Sequence, residues 1–251
     1  MPYEHPVIAV ILGAGFIGGL VRGYSGFGFA MAAVPILSLG LHTALAVPTV
    51  LLHELAIGLF SLRAERGNAR APMLVPLGLG SVVGTPLGIA ILSSTPDQHM
   101  RVGVALSLLL SVLALWRVKG HIALGHGVLC LTGFASGILN GATAMSGPPA
   151  VIVLLGCALP AAQIRAQLIR FIVFSAAIGV GLTFAGGLQG RASLTAALVM
   201  TPGVLTGALA GALAFRHLPH RHYRKISMIG VLVIASGSLL AAVNINEGVS
   251  G

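Results

Sequence analysis

Apolar runs alternate with short polar or glycine-containing breaks along the whole chain, at residues 7–22, 27–40, 44–62, 71–93, 101–118, 121–140, 145–159, 163–184, 193–215 and 225–246. Runs of about 18 residues or more are long enough to cross a bilayer as helices. The runs 27–40 and 145–159 are short, about 20 Å as helix, and predict re-entrant or strongly tilted elements. Backbone breaks at membrane depth require cover from protein or water. The pattern as a whole predicts an all-α, polytopic membrane protein with broken helices.

The two short runs belong to a duplication. Gly15–Leu41 is echoed by Gly133–Leu159 at an offset of 118 residues, each copy an apolar stretch interrupted by glycine and small polar residues. A second match follows at an offset of 123, where Gly84, Gly88, Pro96, His99 and Arg101 correspond to Gly207, Gly211, Pro219, His222 and Arg224. Rows of glycine four residues apart, Gly80/Gly84/Gly88 and Gly203/Gly207/Gly211, give helices flat faces for close packing. The chain thus divides into two membrane repeats, 1–119 and 120–251, forming one transmembrane domain. Duplicated, interrupted hydrophobic segments point to a transporter binding site.

Basic residues set the expected orientation. With the connection after residue 62 inside, Arg63, Arg66 and Arg70 are cytoplasmic, and two further crossings place Arg117 and Lys119 there too. Arg165, Arg170, Arg216, Arg221, Arg224 and Lys225 join them; Arg101 and Arg191 fall outside, and Arg22 lies within the membrane. This distribution requires an odd number of crossings per half, hence inverted repeats with both termini outside. Four crossings per half would make the duplication parallel and put the 216–225 cluster outside.

Composition excludes other classes. Hydrophobic residues make up 56% of the 251 residues and charged ones 8%, with a mean hydropathy of +1.00, too little charge for a water-facing surface. The start, MPYEH, lacks the basic region of a cleaved signal, so Pro6 onward reads as a retained first segment. The net charge of +9 is scattered at the ends of apolar runs with no aromatic platform, so it argues for membrane lipids rather than nucleic acid as the neighbour. Cys130 and Cys157 sit inside apolar runs and read as small buried hydrophobes. His217, His220 and His222 alternate with arginines in a basic loop suited to anionic lipid, with metal binding the alternative that their spacing allows, and Trp116 and Tyr223 sit at segment ends where interfacial rings are favoured. No Walker loop, paired-carboxylate metal signature or Ser-His-Asp set occurs, so neither enzyme chemistry, metal nor cofactor is expected. No repeated channel-filter sequence occurs either.

The polar residues inside apolar runs are the candidate site. Arg22 is permanently charged and needs an anion, a carboxylate or a wet cavity around it; snorkelling from a short helix is the bland alternative. It precedes Gly23–Gly28, including Ser25, Gly26 and Gly28, where exposed backbone N–H groups could form an anion-cradling nest. The equivalent break carries Asn140, Thr143, Ser146 and Gly147 before Pro148-Pro149, whose missing donors suit a helix start with its positive end toward a bound anion. Ser146 could equally be an ordinary cap. Glu54, beside His53, is the one acid within an apolar span; it either neutralises Arg22 or Arg170 or takes up a coupling proton. Gln167 and Arg170 open the corresponding segment of the second half, with interfacial anchoring the alternative for Arg170.

The motifs GFIGGLVRGYSGFG at 15–28 and GFASGILNGATAMSGPP at 133–149 resemble those of the sulfite exporter TauE/SafE family of bacterial membrane permeases. The resemblance covers nearly the whole chain, with the Ser-Gly-Pro-Pro ending its more specific part. Where members often carry a run ending in three glycines, this chain has Ser25-Gly26-Phe27-Gly28-Phe29, a departure bearing on substrate selectivity. The resemblance implies transport of small sulfur-containing anions, such as sulfite or sulfonates, across the inner membrane, driven by an ion gradient that the residues suggest is H+. The competing classes are an anion sensor, scaffold or assembly protein, and more remotely a membrane enzyme. A homo-oligomer is left open.

Overall fold

The computed structural model describes residues 3–64, 73–117, 125–157 and 160–217. Among them run α1 (His5–Ser25), α2 (Phe29–Leu37), α3 (Thr43–Ala64), α4 (Leu74–Ser94), α5 (Asp97–Arg117), α6 (His126–Thr143), α7 (Gly147–Leu155), α8 (Ala161–Ala185) and α9 (Arg191–His217). Five of these, α1, α3, α4, α8 and α9, contain spans long and apolar enough to cross a membrane. The chain is an all-α, polytopic membrane protein. The apolar run at 225–246 lies outside the described residues, as do His220, His222 and Tyr223.

The short runs become α2 and α7, nine residues each, about 14 Å of helix. Each follows a longer helix after a sharp break. At the first, Gly26 (φ 79°) and Gly28 (φ 84°) both adopt the left-handed conformation that glycine tolerates without a Cβ penalty. At the second, Ala144 takes the same role at φ 58°, the only non-glycine with positive φ among the described residues. Pro148 and Pro149 then occupy the first turn of α7, where missing N–H groups cost nothing.

Two glycine-lined interfaces join the halves. A Cβ on Gly203, Gly207 or Gly211 of α9 would lie 2.4, 2.0 or 2.3 Å from the carbonyl oxygens of Leu12, Phe16 and Leu20 in α1. On Gly80, Gly84 or Gly88 of α4 it would lie 2.0, 2.2 or 2.2 Å from those of Cys130, Phe134 and Ile138 in α6. These rows are equivalent at both offsets: 123 relates the glycines and 118 relates their partners. The reciprocal contacts match too, since Gly15, Gly19 and Gly23 meet Met200, Val204 and Ala208 as Gly133, Gly137 and Gly141 meet Leu77, Ser81 and Thr85. Residue numbers rise together along both pairs, so each pair is parallel, and each joins a helix of one half to a helix of the other. Backbones this close are held by van der Waals contact and weak Cα–H···O bonds, which only glycine permits.

Between these pairs, α3 and α8 cross in opposite directions: Gly58 faces Val173, whereas Leu51 faces Gly179. At one polar end, Asp97 accepts hydrogen bonds from the Thr43 amide (2.6 Å), the Thr43 hydroxyl and Arg101 Nε (2.8 Å). Arg101 also donates to the Leu41 carbonyl, so the start of α5 is fastened to the α2–α3 connection. Burial alone would raise the Asp97 carboxyl, but the Thr43 hydroxyl and amide and the Arg101 guanidinium outweigh it and hold the group below the usual carboxylate range.

Gly207→Ala is expected to lower thermal stability in detergent by about 1–3 kcal/mol through overpacking, whereas Gly103→Ala, with nothing within 4 Å of its Cβ, is expected to be neutral or stabilising. Because the folded carboxyl titrates below its unfolded value, the Asp97 tie is complete above about pH 4 and is lost as pH falls through the lower folded value. Asp97→Asn therefore lowers the melting temperature at neutral pH, and its difference from the wild type shrinks in acid.

Candidate functional site

The two helix breaks converge on one small cavity. From the first half it is lined by Phe27, Gly28, Ala30, Met31 and Glu54, and from the second by Ala144, Met145, Ser146, Gly147, Pro148 and Ile172. The starts of both α2 and α7 thus border the same space, presenting the positive ends of two short helices. Ser146 precedes α7 and is buried, but its side chain makes no capping bond to that helix; it lines the cavity instead.

Glu54, on α3, connects the cavity wall to Arg22. Its Oε1 accepts the Ala30 amide at 3.2 Å, capping the first turn of α2, and its Oε2 lies 3.5 Å from Arg22 Nη1. Both residues are about 5% exposed, so Arg22 is not a snorkelling side chain. Each charge also suits its helix: Arg22 stands in the last turn of α1, near its negative end, and Glu54 at the positive start of α2. The pair is incompletely bonded, since Arg22 Nη1 and Nη2 and Glu54 Oε2 have no hydrogen-bond partner. Buried guanidinium donors left open in this way stay available to another anion.

The expected nest at 23–28 is shorter than its glycines suggest. The helix α1 continues through Ser25, leaving a break of only Gly26, Phe27 and Gly28, and the Gly26 amide is used by the Arg22 carbonyl at 2.7 Å. Gly28, Ser146, Gly147 and Glu54 reach the cavity lining; Arg22 stands behind Glu54. Asn140 is turned elsewhere, its amide donating to the Ser175 carbonyl at 2.8 Å, and Thr143 bonds back to the Leu139 carbonyl. His53 contacts the Thr49 carbonyl and the Thr201 hydroxyl and tilts against Phe29. Gln167 is buried on α8, and Arg170 is half-buried there; Glu54 pairs with Arg22. Phe27, Met31, Met145 and Ile172 were not expected from sequence, because apolar residues in apolar runs carry no signal of a cavity. Among the described residues no group of three His, Cys, Asp or Glu side chains could hold a metal.

Residues 11–238 match the profile of the sulfite exporter TauE/SafE family. The chain belongs to the sulfite exporter TauE/SafE family. It is accordingly a multi-pass membrane transporter of the bacterial inner membrane, from a family of anion exporters rather than enzymes. No curated protein and no solved structure matches this TauE/SafE protein significantly.

In this TauE/SafE transporter the two halves of the site differ in charge. At the offset of 118, Arg22 corresponds to Asn140 and Glu54 to Ile172, so both buried charges lie in the first half. Removing one partner leaves an uncompensated buried charge, which costs about 3–5 kcal/mol. Arg22→Met and Glu54→Leu are each expected to destabilise to that degree, and the double variant to recover most of the loss, as read by a thermal-unfolding double-mutant cycle in detergent.

Proposed function

We propose that this protein carries small sulfur-containing anions, sulfite or sulfonates, across the bacterial inner membrane, with H+ as the coupling ion. The observation that carries this reading is the meeting of two helix starts at one cavity beside a buried guanidinium with unfilled donors. Helix starts facing each other across a duplicated break are how secondary transporters receive anionic groups. Gly28, Ala30, Ser146 and Gly147 supply the polar rim of the site and Arg22 its charge.

Glu54 is the coupling group in this scheme. As a carboxylate it neutralises Arg22 and occupies the amide at the start of α2, opposing a second anion. Taking up a proton removes that negative charge and frees both the guanidinium and the Ala30 amide, so proton and anion load together. His53, Asn140, Thr143, Gln167 and Arg170 support the surrounding helices.

The two repeats, 1–119 and 120–251, are inverted in this reading, and the site is exposed alternately as they rock against each other. Two features support inversion. The α3–α8 crossing is antiparallel, although the two helices are equivalents, and the basic connections collect on one side under an odd number of crossings.

Reconstituted protein is expected to carry labelled sulfite or sulfonates in preference to carboxylates, with flux responding to an imposed pH gradient. Arg22→Gln is expected to reduce flux at least about tenfold, the loss of one charge-assisted contact. Glu54→Gln is expected to abolish the response to the gradient; an unchanged response would remove Glu54 from the coupling step. Specific binding without flux would assign the protein instead to sensing or scaffolding.

A further inference from the structure

The cavity lies on the internal symmetry of the chain. Gly28 and Ser146, Ala30 and Pro148, and Glu54 and Ile172 are each related by the offset of 118, and both members of every pair line it. The first pair is alike in being small and uncharged. The second differs in its backbone donor, and the third sets a carboxylate against a branched alkyl group. The two halves of one wall are therefore chemically unlike.

In the first half Glu54 Oε1 accepts the Ala30 amide at 3.2 Å, beside Arg22. In the second half both partners of that bond are gone together: Ile172 has no acceptor, and Pro148 has no N–H. Ile172 nonetheless stands at the start of α7, its Cδ1 3.9 Å from where a Cβ on Gly147 would lie. Replacing both partners of a buried bond by apolar groups costs a fold little, and here it leaves an alkyl surface where the other half has charge. Ile172 is 3% exposed and Met145, on the same wall, 1%. The free space is about that of one water molecule, and the unbranched thioether of methionine re-packs readily around a small group.

We propose that Ile172 is a specificity-determining residue of the site and that it selects sulfonates carrying a short apolar tail. The sulfonate group takes the place beside the Ala30 amide and Arg22 that Glu54 gives up on protonation, and the tail lies against Ile172, Met145 and the Pro148 ring. A hydroxylated tail loses its water there without finding a partner. This rests on the anion-transport reading above and narrows its substrate.

The test compares ethanesulfonate with 2-hydroxyethanesulfonate, anions of similar size, in the same proteoliposomes, so that the ratio of their kcat/KM values does not depend on how much protein is folded. The wild type is expected to favour ethanesulfonate about fivefold or more. Ile172→Thr, similar in shape but bearing a hydroxyl, is expected to bring the two anions within about twofold of each other. Ile172→Val, a milder change, is expected to raise the ratio of propanesulfonate to ethanesulfonate about threefold by clearing one methylene. Leu155→Thr, at an exposed position of α7, is expected to leave both ratios unchanged. A residue that only packs the core would alter all these anions alike. Equal transport of ethanesulfonate and 2-hydroxyethanesulfonate by the wild type, transport of sulfite alone, or wild-type ratios in Ile172→Thr or Ile172→Val would overturn the selector while leaving anion transport intact. Failure of the wild type to carry any of the sulfonates or sulfite would instead overturn the transport reading itself.

Discussion

A bilayer offers no hydrogen bonds, and that constraint organises this protein. Any helix broken inside the membrane leaves amides and carbonyls that protein or trapped water has to satisfy. The protein meets this by packing its two breaks against helices of the opposite half. The glycine rows of α9 and α4 bring the backbones of α1 and α6 into direct contact, and α3 and α8 cross between them. Each broken helix is thereby clamped by a long helix of the other half, and the breaks are left facing one shared interior. A packing requirement has produced a cavity with two helix starts on its wall.

Once such an interior exists, placing charge in it is costly, and Arg22 and Glu54 show how the cost is contained. Each sits at the end of a helix whose dipole favours it, and each is near the other. The bonding nevertheless stops short of a closed bidentate pair, since three of the four relevant terminal atoms lack a hydrogen-bond partner. A pair built only for stability would close that geometry, because unfilled buried donors are expensive. An open pair is better suited to a site that exchanges one anion, the carboxylate, for another.

The duplication makes the inequality of the two halves informative. Both halves supply a helix break, a short helix and a glycine-lined interface at matching positions. The buried Arg22–Glu54 pair belongs to the first, its equivalent positions at the offset of 118 being Asn140 and Ile172. The second half contributes the strained Ala144 turn and the proline-led start of α7. Symmetric architecture serves a motion between two arrangements, whereas a single charged pair sets one binding locus for both.

The sequence by itself determined the membrane class, the duplication, the two short interrupted helices and the residues that had to be exceptional. These follow from local chemistry: run length, glycine spacing, and the cost of placing Arg22 or Glu54 in apolar surroundings. The TauE/SafE motifs were likewise legible as short strings. Only the tertiary structure decided that Glu54 answers Arg22, and that its other oxygen caps α2. It also turned Asn140 and Thr143 away to neighbouring carbonyls and brought Met31, Met145 and Ile172 to the cavity. Apart from the local Thr143 bond, those outcomes depend on which helix faces which across 24 or more residues of chain, and helices in lipid pack by shape and close contact rather than by a pattern readable along one strand of sequence.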